Sequence, residues 1–367
     1  MIRMLCTVIL IAVFVAACAA PTPPAISAPT ALPSPSATEV TLPPPEGAIL
    51  VADNLLQPRG LTFGPDGSLY IAEAGIAPPP GQNADNTGRL TKIAPDGTRT
   101  VILDQIATTG TEFNGALGAS ATAIISDTIY LATAGPDGGR GDAKSGVYLV
   151  TADGTTELIA DLGQFNDEHK PQYLDKDFDR ANPYDMVALG GKLYIADGNV
   201  QVINEVDPLG TPGQNIRRVA DMSRGHPVLT GIVAGQDGNL YVTQFTHAPY
   251  SEAFSEGVAQ IFQVTVDGKV TPIADGLTMA MGLAQAPDGT FYATEFVADL
   301  DPQGNFTAPG RIVKLKAGDH NVTQVVKNLV YPSGIEWGPD GYLYFANYGV
   351  TIPWNAPQRG AVYKIMP

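Results

Sequence analysis

The chain has 367 residues, a net charge of −16 and only 16% charged residues. That acidity disfavours nucleic acid and anionic membrane surfaces as partners, because both repel an acidic face. The 40 glycines and 31 prolines suit many short strands and turns, and the two cysteines, Cys6 and Cys18, leave the rest of the chain with neither a disulfide nor a thiolate metal site.

Residues 1–18 read as an export signal. Arg3 supplies a small positive start, and the apolar run over 4–17 is too short for a comfortable membrane span. It ends in Val15-Ala16-Ala17-Cys18, small residues before a cysteine, the pattern at which bacterial lipoprotein precursors are cut and the thiol is lipidated. The plainer alternative is an ordinary secretory signal with an incidental cysteine. Lipidation of Cys18 predicts an exported protein held at a bacterial membrane, facing the periplasm or the extracellular space. Residues 19–47 are rich in Pro, Ala, Ser and Thr, with too few large apolar side chains to pack, and predict an extended, semi-rigid tether.

Residues 48–367 carry a sixfold repeat. Its first copy is RGLTFGPDGSLYIAEAG at 59–75, two short strands (a and b) joined by a Pro-Asp-Gly turn in which Gly67 takes the positive φ. Related phrases surround Tyr130, Tyr194, Tyr241, Tyr292 and Tyr344, and a tyrosine holds the same place in each. A third strand, c, follows at 89–94, 146–151, 202–207, 259–264, 311–316 and 360–365. A fourth, d, follows at 101–106, 158–162, 219–222, 272–277 and 325–330, and the sixth copy lacks one. The missing phrase is ILVADNL at 49–55, ahead of the first strand a. The predicted fold is therefore all-β: a six-bladed β-propeller of four-stranded antiparallel blades, closed by an N-terminal strand completing the last blade. No helix able to carry a phosphate loop or a metalloprotease motif is expected.

The a–b and c–d turns are short, whereas the b–c loops and the d–a connection over 163–183 are long. In an antiparallel blade these long loops share one face, which makes that face the expected binding surface for a small molecule or a protein partner. Three residues after each repeat tyrosine stand Glu73, Thr133, Asp197, Gln244, Glu295 and Asn347, all polar in otherwise apolar strands. They read either as solvated strand ends or as the lining of a polar pocket. Glu73, Asp197, Gln244 and Asn347, with Arg59 and Thr230 at strand a starts, are the expected ligand-binding residues. The start of strand a is otherwise small (Gly60, Ala121, Gly231, Gly282, Gly334), but the third copy has Asp185. Asp185, Asp197 and Asn199 form a candidate set for a hard divalent cation such as calcium. The bland alternative is that Asp185 caps a turn or pairs with Arg180. Asp185, Glu295 and His247 are the candidate acid–base groups, with His169 and His226 also in long loops.

The phrases LQPRGLTFGPDGSLYIAEAG (56–75), ADLGQFN (160–166), NPYDMVALGGKLYIADGN (182–199) and TGIVAGQDGNLYVTQFTHAPYSE (230–252) resemble the ScyD/ScyE family of exported propeller proteins. That resemblance implies an NHL-like propeller linked to late, extracytoplasmic steps of scytonemin formation, hence either a binding module or an enzyme acting on an aromatic or indolic metabolite. The fold is also similar to the gluconolactonase-like SMP-30 propellers, whose divalent cation is held by Glu, Asn and Asp near strand a starts, which implies a metal-assisted hydrolase or lyase as the alternative. The matching positions here are Arg59, Ser120, Tyr184, Thr230, Met281 and Ser333, none of them a carboxylate or an amide.

Overall fold

A computed structural model describes residues 44–77, 85–111, 115–135, 143–174, 176–245, 256–300, 307–350 and 359–367. Cys18, His247, nearly all of the tether and most of the b–c loops lie outside the described residues.

The expected propeller is present. Five blades are four-stranded antiparallel sheets, and the first carries a fifth short strand. The inner strands, a, run over Pro58–Phe63, Ala119–Ile125, Pro183–Leu189, Leu229–Ala234, Ala280–Gln285 and Ile335–Trp337. The b strands end at Glu73, Thr133, Asp197, Gln244, Glu295 and Asn347. The ring closes as the repeat arithmetic requires: Ile49–Leu56 pairs antiparallel with the C-terminal strand Arg359–Ile365, placing Leu50 opposite Tyr363 and Ala52 opposite Val362. Closure removes the open ends that a solenoid would have to cap.

Two local features depart from the expectation. Strand d of the first blade runs on over Arg99–Thr111, and Gly115–Leu117 folds back on its end. In the long connection after the second blade, Leu162–Glu168 forms a short helix, capped where Asp161 accepts the N–H of Gln164.

The core is a ring of six apolar layers, one between each pair of neighbouring blades. Each repeat tyrosine is buried in the layer facing the next blade, as with Tyr70 against Ala119 and Leu131, or Tyr344 against Leu61 and Ile71. The glycine that opens a GPDG-type turn is required by the same ring. A Cβ on Gly235 would lie 2.3 Å from the Tyr241 ring, and one on Gly338 would lie 2.5 Å from the Tyr344 ring.

The small residue at the start of strand a has a steric cause of the same kind. A Cβ on Gly334 would stand 2.0 Å from the Arg59 carbonyl, and one on Gly231 would stand 2.5 Å from the Leu283 N. Adjacent inner strands therefore draw closest at this level and spread towards the a–b turns, where Phe63, Ile125, Leu189, Ala234, Gln285 and Trp337 are half-buried. The central channel narrows at the loop-rich end and widens towards the turns.

Candidate functional site

The polar residues that end the b strands are buried, and most are occupied by backbone. Glu73 accepts the Leu56 N–H at 2.6 Å and the Thr91 hydroxyl. Glu295 accepts the Thr278 N–H at 2.9 Å and pairs with Arg311. Asn347 accepts the Val330 N–H at 2.8 Å. In three of these blades the N–H just precedes a residue in the left-handed region: Gln57 (φ 51°), Met279 (φ 46°) and Tyr331 (φ 49°). That residue bends the chain into strand a, and the bend exposes an N–H that no ladder can satisfy. The b-strand acceptor is a latch on this bend. Burial pushes the Glu295 carboxyl up to about 7, against the opposing charge of Arg311.

Asp197 belongs to the same group but takes on more. Its carboxylate accepts N–H groups of Asn182, Asn199 and Val200 at 3.0–3.1 Å. Asn166, on the short helix, adds its side-chain amide at 3.4 Å and accepts from Asn204 and Arg218. The phrases ADLGQFN and NPY…ADGN thus meet in one buried polar network that seats the long connection on the third blade. Burial pushes the Asp197 carboxyl up, against those N–H bonds and the Arg218 charge.

The remaining expected ligand-binding residues are also buried. Thr230 donates to the Ala280 carbonyl at 2.9 Å. Gln244 is buried to 2% exposure, with its Nε2 unpartnered. Of the histidines, His226 is buried against Phe178, His169 stacks on Phe165, and His320 faces Asp275.

Asp185 stands apart from this latch system. It lies opposite Ala196, not Asp197, and accepts the N–H groups of Met186 at 2.9 Å and of Ile232, on the next blade, at 3.0 Å. It shares no hydrogen-bond partner with Asp197 or Asn199, the other two members of the expected cation set. Among the described residues no three His, Cys, Asp or Glu side chains come together as a metal site would need.

What Asp185 does line is the central channel, a cavity of about 290 Å³ walled by the inner strands of all six blades. Its other acidic group is Glu336, on the sixth blade, which stands opposite the third in the ring. Glu336 accepts its neighbour's N–H, from Trp337, and among the described residues no basic side chain forms an ion pair with either carboxyl. Both line the cavity and are half-buried. Burial pushes Asp185 up to about 7; burial and then the charge of Asp185 push Glu336 up to about 8. Sequence comparison reached Asp185 but not Glu336. The signal lay two residues beyond the small position, where the other copies have Thr62, Ala123, Val187, Val233 and Ala284.

Arg59 and Tyr184 shut the narrow end of the channel. The Arg59 guanidinium lies 5.7 Å from the centre of the Tyr184 ring and donates to the Ala116 carbonyl at 2.8 Å. The Tyr184 hydroxyl reaches the Met281 sulfur at 3.6 Å. Burial pushes Tyr184 up to about 12 and Arg59 down. Above them Met279, Met281, Phe296, Val297 and Val350 form an apolar lid with Phe245 and Tyr331. The loop-rich face that the sequence pointed to is made largely of b–c loops outside the described residues.

No protein-family model matches the chain, and no characterised protein matches it in sequence. Among solved structures, a gluconolactonase from Xanthomonas campestris is similar at 14% identity and a TM-score of 0.54, over 87% of this chain and 89% of that one. The calcium-binding protein regucalcin from Agrobacterium tumefaciens is similar at 15% identity and a TM-score of 0.55, over 88% and 94%. A glucose dehydrogenase is similar at 17% identity and a TM-score of 0.54, over 87% and 98%. These likenesses establish the architecture: the chain shares the six-bladed propeller of the SMP-30 and gluconolactonase-like proteins.

Proposed function

We propose that the protein is an exported, lipid-anchored propeller of the ScyD/ScyE type that binds a small ligand in its central channel. The observation that carries this reading is the pair Asp185 and Glu336 on blades opposed across the channel, without an ion-pair partner among the described residues. A buried carboxyl costs stability unless something recovers it, so its retention in a ligand-sized cavity favours a ligand. Anchorage through Cys18 and the 19–47 tether would hold the channel clear of the bilayer. The test is ligand screening by thermal shift on the full-length chain in detergent, with Asp185→Asn and Glu336→Gln alongside. Ligands whose shifts vanish in both variants support the reading, and shifts unchanged in both overturn it. Mass spectrometry of the mature N-terminus tests the anchor: a diacylglyceryl Cys18 supports it, and a start at any other residue refutes it.

The second reading is a metal-assisted hydrolase or lyase. It draws on the company the fold keeps, a gluconolactonase and a calcium-binding regucalcin. The residues here fit a cation poorly. Arg59, Ser120, Tyr184, Thr230, Met281 and Ser333 stand at the narrow end, where they offer no carboxylate, and calcium takes about six to eight oxygen ligands. Calcium titration of the chain by calorimetry decides it: binding abolished by Asp185→Asn supports this reading, and no binding removes it.

A further inference from the structure

The wall of the channel already uses nearly every polar side chain that lines it. Thr62 donates to the Thr122 carbonyl at 2.7 Å, Ser120 to the Ala132 carbonyl at 3.1 Å and Ser333 to the Pro58 carbonyl at 2.6 Å. Arg59 donates to the Ala116 carbonyl, and the Tyr184 hydroxyl meets the Met281 sulfur. Asp185 has one oxygen on the Met186 N–H and the other on the Ile232 N–H. The Thr122 hydroxyl has no partner but is enclosed, at 1% exposure. Glu336 is different: it is half-buried, and among the described residues its carboxyl accepts only the N–H of Trp337, the next residue in the chain. Resting on the channel-binding reading above, we infer that Glu336 is the ligand-contacting group of the channel, that its ligand is a small primary amine held as a monocation, and that Asp185 is a positioning residue acting through its charge on Glu336.

The charge of the lining selects a monocation. Its described charged groups are Asp185, Glu336 and Arg59, two acids and one base, so with all three ionised the wall carries one net negative charge. One ammonium group balances it, whereas a dication would leave an excess positive charge in a site shielded from water. Calcium is disfavoured on a second ground, since among the described residues no three acidic or imidazole groups come together. The cavity, about 290 Å³, stands near the lower end of the range for organic ligands and exceeds what a bare ion fills. Burial, and then the Asp185 charge, hold the Glu336 proton up to about 8; Arg59 and Tyr184 are the other titratable groups of the described lining. An ammonium favours the ionised carboxylate, so uptake releases a proton near neutral pH and strengthens as pH rises from about 6 to about 9.

The test is calorimetric titration of the full-length chain in detergent with n-butylamine, n-butanol and potassium chloride across that pH range. The expected result is one site for n-butylamine, with n-butanol and potassium at least about tenfold weaker. Glu336→Gln weakens the amine at least about tenfold, and Asp185→Asn weakens it by a smaller factor. Asp185→Asn also moves the pH midpoint of binding down, because Glu336 then ionises without a second negative charge acting on it; a merely structural brace would leave that midpoint in place. Proton release, read on the wild type from titrations in two buffers of different ionisation enthalpy, tests the ion pair without any variant, and its absence overturns it. An unmoved midpoint in Asp185→Asn overturns the role given to Asp185. No site for the amine, or n-butanol or potassium bound as tightly, overturns the ligand class and leaves the channel reading to the ligand screen above. Amine binding that survives both variants overturns the channel as its site.

Discussion

The Glu73 carboxylate accepts the backbone N–H of Leu56 at 2.6 Å. Leu56 ends the strand that pairs with Arg359–Ile365 in the sixth blade, whereas Glu73 ends strand b of the first. One hydrogen bond therefore ties the seam of the ring to the blade beside it. Its strength comes from burial, since a charged acceptor shielded from water is worth more than an exposed one.

Removing that acceptor should be costly. Glu73→Leu leaves the Leu56 N–H and the Thr91 hydroxyl without this acceptor, and the expected loss is about 1–3 kcal/mol. Glu73→Gln keeps one acceptor oxygen and should lose less. Urea unfolding of both variants measures the difference, and equal losses would show that the carboxylate acts only by filling space.

The channel carboxyls should give stability an unusual slope with pH. Both hold their protons in the folded state well above the pH at which the unfolded chain releases them, to about 7 for Asp185 and about 8 for Glu336. Between roughly pH 4 and pH 8 the unfolded state binds fewer protons at these sites, so their contribution falls as pH rises and levels off above pH 8. Asp185→Asn and Glu336→Gln should each flatten the slope and raise stability at pH 8 by on the order of 1–2 kcal/mol. Thermal unfolding at pH 5 and pH 8 checks this. A ligand-free wild type whose melting temperature rises over that range through these two sites would contradict it.

Two glycines should respond to alanine for different reasons. Gly341 lies at φ 79° in an open turn with nothing near its missing Cβ, so Gly341→Ala should cost about 1 kcal/mol through backbone strain. Gly334 lies at the close approach of two inner strands, 2.0 Å from the Arg59 carbonyl at the Cβ position, so Gly334→Ala should cost about 2–3 kcal/mol or more. Chemical denaturation of the pair tests the order; a larger loss at Gly341 would mean the inner strands yield easily.

Tyr363 is fully buried in the C-terminal strand, stacked near Phe345 with ring centres 5.8 Å apart. Tyr363→Ala should cost about 3–5 kcal/mol. Because the strand also holds Ile49–Leu56, hydrogen exchange in that N-terminal strand should rise more than in the third blade.

The fold was legible because six copies of one phrase share their turn glycines, their tyrosine and their strand count, and because ILVADNL supplies the strand that the sixth copy lacks. The b-strand polar residues were legible as a set but not in their role. A buried acceptor and a pocket lining have the same signature, a polar residue in an apolar strand. What separates them is the bend at Gln57, Met279 and Tyr331, and none of these is a glycine that would announce a positive φ. Asp185 was visible as the exception at a small position, whereas Glu336 lay outside the one position compared. The helix Leu162–Glu168 has seven residues, too few for a periodic pattern to show.

The pairing of Ile49–Leu56 with Arg359–Ile365 also sets a timetable. As the ribosome delivers the chain, the first strand made has no partner until the stretch around Tyr363 has emerged, and throughout that interval the growing arc carries two raw sheet edges. A product cut short before the C-terminal strand would not be a slightly smaller propeller. It would be an open arc, with the Ile49 strand unpaired at one side and one edge of Leu343–Asn347 bare at the other, ready to join edges with its neighbours.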